Sequence, residues 1–171
     1  MRSNVARLVA TAPLRTIRTS DLAKVYAHPR AEARALERQG LLHRLAHGFY
    51  CAVPAEHDPA RWQPTIEATA ADIATTIYGD RVLVLTWLTA ARVQRVLPRA
   101  IDVAFVAVPT QRRPLQLLDR AGQVWFVTRA VRDLGGSGDG RSGLMEMVVR
   151  PAHDGLDIAV CNRDRVTPLG T

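Results

Sequence analysis

The chain has 171 residues, 47% hydrophobic and 23% charged, with a formal charge of +7; this suits one or two folded domains and excludes a disordered acidic segment. The excess charge is uneven. Residues 1–50 carry nine basic side chains against three acidic ones, and residues 51–171 carry fourteen against thirteen, so an anionic partner is expected to meet the first third of the chain.

Ser3 is placed to cap a helix over residues 4–12, with Val5, Leu8, Val9 and Ala12 on one face, and Pro13 ends it. Residues 14–18 read as a short extended piece. Thr19 or Ser20 then caps a second helix over residues 21–26, and Ala27-His28 is a tight link. Pro29 suits the first turn of a third helix that runs to about residue 39, and Gly40 fits the left-handed position just past its end. Residues 41–45 and 49–53 read as strands around Ala46-His47-Gly48, a hairpin signal. Residues 54–64, with Pro54, Pro59 and Pro64, read as a linker holding at most one helical turn.

Residues 65–78 predict an amphipathic helix, since Ile66, Ala70, Ile73, Ala74 and Ile77 recur at helical spacing, and Gly79 stops it. A strand over 81–85, a helix over 86–97 ended by Pro98, and strands over 101–108 and 123–128 follow. Weaker strands cover 144–149 and 156–161, and 134–143 is a Gly-Ser loop. No internal repeat is present. The expected fold class is α+β: an N-terminal winged helix-turn-helix over residues 1–54, a linker over 55–64, and a small α+β domain over 65–171.

The third predicted helix carries the functional signal. At 100° per residue, Pro29, Ala33 and Leu36 face one way, while Arg30, Arg34 and Arg38 stack on the opposite side at i, i+4 and i+8. Such a helix packs by its apolar seam and presents guanidinium groups to a major groove, where they fork onto guanine or pair with phosphate. Arg44 and His47 lie on the hairpin, where a wing meets backbone or minor groove, and Arg15, Arg18 and Lys24 are placed to hold phosphates. The competing reading is a solvated stripe whose arginines pair with Glu32 and Glu37.

Residues 19–54, TSDLAKVYAHPRAEARALERQGLLHRLAHGFYCAVP, resemble the N-terminal winged helix of AbiEi-type antitoxins of type IV toxin–antitoxin systems. The resemblance rests on Thr19-Ser20, the helix 29–39, Gly40, Leu42-His43-Arg44-Leu45, Gly48-Phe49-Tyr50 and Pro54. VLVLTWLTAARVQRVLP (82–98), and IDVAFVAVP (101–109) with Arg112-Arg113, are similar to the family's next strand, helix, strand and following segment. The resemblance covers residues 1–130 in order and is looser to about 165. It implies a non-enzymatic repressor that autoregulates its operon at inverted-repeat DNA, two copies per operator, and counteracts a nucleotidyltransferase toxin. DNA contact then carries over to Arg30, Arg34, Arg38 and Arg44, with Thr19 and Ser20 as capping residues that also touch phosphate. Many members continue into a further helical domain near where residues 162–171 stand, so repression transfers more safely than antitoxicity. The alternatives are an antitoxin that binds its toxin directly and a plain repressor.

Other constellations point away from catalysis. His43, His47, Cys51 and His57 have metal-capable spacing, but alternating strand directions are expected to scatter His43 and Cys51 around the hairpin. Residues 135–140 (GGSGDG) lack the Gly-Lys-Ser/Thr ending of a phosphate loop. Ser137, Asp139 and His153 lack a nucleophile elbow. Asp133, Asp139 and Glu146 lack the paired spacing of a nucleotidyltransferase. Trp62, Trp87 and Trp125 are expected to pack in the core or between domains, and Tyr50 to cover the wing base. No metal or cofactor is expected. Cys51 and Cys161 make no disulfide framework, and no apolar run approaches the ~20 residues of a membrane span, so a cytoplasmic location without a membrane partner is expected.

Overall fold

The computed structural model of the chain describes residues 2–79, 84–86, 88–89, 92, 102–129, 146–152, 155–162 and 165–167. The Gly-Ser loop 134–143 and most of the predicted helix 86–97 lie outside them; of that helix, Leu88, Thr89 and Arg92 are helical, while Thr86 is strand.

Helix α1 (Arg2–Thr11) already contains Ser3, so Ser3 is not its cap. A tight 3-10 turn at Pro13–Arg15 follows. Leu14 (φ 49°) and Arg15 (φ 51°) are left-handed there rather than extended. Strand β1 (Thr16–Arg18) leads into the single-turn helix α2 (Thr19–Leu22). Thr19 and Ser20 are therefore its first helical residues, not its caps. Pairing of Ile17 with Tyr50 and Arg18 with Phe49 holds the backbone extended up to Arg18. The cap position falls on Arg18, whose N–H donates to Asp21 Oδ2 at 2.9 Å. The chain then turns through Val25 instead of continuing as helix to Tyr26.

Helix α3 (Pro29–Arg38) begins with its proline where no N–H is required. It ends in a Schellman motif: Gly40 N–H donates to Glu37 O (2.9 Å) and Leu41 N–H to Leu36 O (3.0 Å). Gly40 supplies the left-handed φ of 70° that closes it. Strands β2 (Leu42–Ala46) and β3 (Phe49–Ala52) form the predicted hairpin, with a register shift between Arg44 and Ala46. The antiparallel sheet has the order β1-β3-β2.

Helix α4 (Ile66–Tyr78) is capped by Thr65, whose side chain accepts from Ala68 N–H at 3.2 Å, and it stops at Gly79 (φ 88°). Strands β4 (Val84–Thr86), β5 (Val103–Val108), β6 (Leu115–Gln116), β7 (Gln123–Thr128), β8 (Glu146–Ala152), β9 (Gly155–Asn162) and β10 (Arg165–Thr167) make one sheet, ordered β10-β9-β8-β4-β5-β7-β6. Only β5 and β7 pair in parallel among its described strands. The chain is thus a mixed α+β protein. Among the described residues no helix is long and apolar enough to cross a membrane.

The small sheet is covered on both faces. Ile17, Leu42 and Tyr50 join Val9, Leu22, Ala33 and Leu36 in one core under the first three helices. Leu45, Ala46, Phe49 and Cys51 join a second core with α4 and the large sheet. Helix α4 packs against β1 and the 13–15 turn as well as against β4 and β5. Its predicted polar side is therefore buried too. Small residues (Thr69, Ala70, Ala71, Ala74) let both layers approach, and Glu67 and Asp72 go inside with them. An antiparallel bridge between Ala46 and Leu117, with Leu118 N–H donating to Leu45 O (2.9 Å), joins the two sheets at the end of β2.

Trp125 departs from expectation. Strand alternation turns Val124 and Phe126 inward and leaves Trp125 43% exposed against Phe105. Trp62 packs at the edge of the second core as expected, Tyr50 is buried beneath the helices, and Trp87 lies outside the described residues.

Candidate nucleic-acid interface

Ala33 and Leu36 are the buried side of α3, and Arg30, Arg34 and Arg38 are exposed on the other. Among the described residues no carboxylate lies within 4.0 Å of any of the three guanidinium groups, so the pairing with Glu32 and Glu37 in the competing reading does not form. Within the stripe, Arg38 Nε donates to the Arg34 carbonyl at 3.4 Å. Three unneutralised charges one turn apart form a surface suited to a polyanion.

The remaining predicted residues divide into two groups. Near the start of α2, Thr19 N–H donates to Gly48 O (2.9 Å), which brings the helix start against the hairpin turn and the exposed His47. That bond occupies the Thr19 N–H; Ser20 is exposed beside it. Arg18 and Lys24 both lean on Asp21, at 3.7 and 3.6 Å, so their charges are partly used within the chain. These are long contacts on a partly buried Asp21, and an incoming phosphate can compete for the Lys24 ammonium, which is exposed.

Arg44 stands apart. It lies opposite Tyr50 on the helix-facing side of the sheet, half-buried, and its Nε is buried without a hydrogen-bond partner. Arg44 and Arg38 together line a cleft of about 550 Å³ between the end of α3, β2, the 59–60 segment and Leu118-Asp119. The hairpin body that was expected to be free for backbone contact is thus enclosed, and only its turn projects.

Sequence reading missed the cluster beneath that cleft. Asp119, whose side chain is 3% exposed, accepts from His43 Nε2 (3.1 Å) and from Arg120 Nε (3.2 Å) and Nη2 (2.8 Å). Burial alone would raise the Asp119 carboxyl, but the hydrogen bonds from His43 and Arg120 outweigh it and hold the group down at about 2. Gln63 donates to the Asp119 carbonyl (2.7 Å) and Arg120 to the Pro64 carbonyl, so residues 59–64 are tied across the cluster. His43 and Asp119 are 76 positions apart, and the only local signal is the turn-forming Asp119-Arg120-Ala121-Gly122.

His43 and Cys51 are direct cross-strand partners, so they are not scattered around the hairpin as expected. Cys51 Sγ rests 3.8 Å from the His43 carbonyl, and burial, with Asp72 and Asp119 nearby, pushes its thiol well above the ordinary range. It is therefore a poor nucleophile. Among the described residues no group of three potential metal ligands comes together. On α4, burial raises the Asp72 carboxyl to about 7 against an opposing hydrogen bond from Thr16. Glu67 is paired with Arg92 at 3.0 Å. No protein-family model matches the chain, and no curated protein is detectably similar to it in sequence.

Proposed function

We propose that residues 1–54 act as a winged helix-turn-helix that binds duplex DNA, and that the chain is a non-enzymatic, autorepressing antitoxin of AbiEi type. The observation that carries the DNA reading is the stripe of Arg30, Arg34 and Arg38, exposed and free of ion pairs, opposite the buried Ala33 and Leu36. The order α1-β1-α2-α3-β2-β3, with β1 alongside β3, supports a winged helix in which α3 enters the major groove. Arg18, Lys24, Ser20 and His47 then flank it as backbone contacts, two copies occupying an inverted repeat. Arg38 contributes from the end of the stripe, and Arg44 is recessed from it. The functional partner in this reading is a nucleotidyltransferase toxin, and the site of action is the cytoplasm.

Binding of the full chain to duplex from its own upstream region, measured against salt, tests the proposal. Each phosphate contact contributes about −0.9 to the slope of log K against log salt, so replacing Arg30, Arg34 and Arg38 with Ala should flatten the slope by up to about 2.7. Because the three side chains are exposed, the same variant should keep its unfolding free energy to within about 0.5 kcal/mol per site. An unchanged slope, or a parent that binds duplex indifferently to salt, would sink the DNA reading. Growth rescue on co-expression with a nucleotidyltransferase from the adjacent reading frame tests the antitoxin part separately.

A further inference from the structure

We propose that the outer face of β7 docks single-stranded nucleic acid, with Trp125 as its stacking platform. Trp125 is 43% exposed, and its indole is held in place from within the sheet. Gln116 Nε2 donates to the Gly122 carbonyl (2.9 Å), Gln123 Nε2 to Gln116 Oε1 (3.0 Å), and Trp125 Nε1 to Gln123 Oε1 (2.9 Å). Phe105, opposite Trp125 in the β5–β7 register, lies with its ring centroid 6.3 Å from the indole. The indole N–H is thus spent inside the chain. What the ring offers a partner is a π-face already fixed in direction, at little entropic cost. Any nucleobase can stack on such a face, whatever its sequence.

The surrounding charge selects the partner. Arg129 N–H donates to the Val108 carbonyl (2.9 Å) and carries the β5–β7 ladder one residue further, so Trp125, Val127 and Arg129 share a face. Arg129 stands about 13 Å along the strand from Trp125. Gln111 donates to the Phe126 carbonyl and accepts from Thr128 Oγ1, so residues 111–113 run beside β7 and set Arg112 and Arg113 along it, both exposed. Among the described residues no carboxylate lies within 4.0 Å of Arg112, Arg113 or Arg129. The exposed Asp102 stands at the Gln123 end, away from Arg129. Three unpaired guanidinium groups around an aromatic face suit a chain of phosphates with accessible bases. Bases inside a duplex are stacked on one another and cannot reach the indole, so the partner is single-stranded. The site is separate from the stripe of Arg30, Arg34 and Arg38 and does not rest on the duplex reading.

Fluorescence anisotropy of the full chain with labelled oligothymidine of about 12 nucleotides, and separately with a duplex, tests the site. The single strand should bind the parent, and should still bind the variant with Ala at positions 30, 34 and 38. Trp125→Ala should weaken single-strand binding at least about fivefold and leave duplex binding unchanged. Trp125→Phe, which keeps a π-face, should bind the strand more tightly than Trp125→Leu, which keeps only apolar area. Should Trp125→Ala fail to fold, Arg129→Gln at the surface should flatten the slope of log K against log salt by about 0.7. Absence of single-strand binding by the parent overturns the proposal, as does equal affinity in Trp125→Ala, equal affinity of the Phe and Leu variants, or loss of all single-strand binding with the arginine stripe. Sedimentation of the same proteins tests the other occupant. If the parent is a dimer that Trp125→Ala dissociates, and no strand binds, a second copy covers the face and the proposal is refuted.

Discussion

Gly40→Ala is the substitution on which the geometry makes its sharpest demand. Gly40 closes α3 at φ 70°, where an L-residue costs about 1–2 kcal/mol. A Cβ there would also stand 2.7 Å from both Cβ and Cγ of Pro59. That is well inside the roughly 3.5–4.0 Å carbon contact optimum, and a pyrrolidine ring has no rotamer to escape into. Displacing the 59–64 segment is an overpacking cost of about 1–3 kcal/mol. The two together give about 2–5 kcal/mol, or on the order of 10 °C in Tm for a chain of this size. Urea unfolding followed by Trp fluorescence measures it. Pro59→Gly removes both offending carbons, so in that background Gly40→Ala should cost only the backbone part, about 1–2 kcal/mol. A loss below about 1 kcal/mol in the parent, or an identical loss in both backgrounds, would show that the helix end and the proline are not packed as described.

The two perturbed carboxyls predict an acidic stability optimum. Asp72, raised from 3.8 to about 7, favours the folded state fully below its unfolded value and loses that contribution as pH rises through 7, a ceiling of about 4 kcal/mol. Asp119, held at about 2, contributes above pH 3.8 and loses its contribution as pH falls towards 2. Urea midpoints should therefore peak near pH 4, and Asp72→Asn should flatten the decline towards neutrality; a parent more stable at about pH 7.5 than at 4.5 would contradict the burial of Asp72. Thr65→Ala removes the acceptor for Ala68 N–H and should cost about 1 kcal/mol by the same assay, with Thr65→Ser close to the parent.

What was legible in the sequence was what neighbouring residues decide. Pro29 and Gly40 bracket α3, Thr65 and Gly79 bracket α4, and the apolar run within residues 123–128 marks β7 to the residue. The errors arise where distant partners decide. Thr19 and Ser20 look like caps locally, but pairing of β1 with β3 moves the cap to Arg18. Helix α4 has the spacing of a one-sided helix, yet a second layer covers its other side and takes Glu67 and Asp72 inside. The exposure of Arg30, Arg34 and Arg38 followed from helical periodicity alone. The enclosure of Arg44 did not, because the residues that enclose it come from the 59–60 segment and from Leu118-Asp119.

The covering of the small sheet on both faces limits how this chain can be rearranged. A recombination breakpoint after residue 54 would carry away β1 to β3 with Leu45, Ala46, Phe49 and Cys51 uncovered, and would strip α4 of the layer that hides Asp72. Neither fragment would inherit a closed surface. The first 54 residues are thus inheritable only together with the layer behind them, and a functional chimera would have to take the graft from Arg2 through Tyr78 at least.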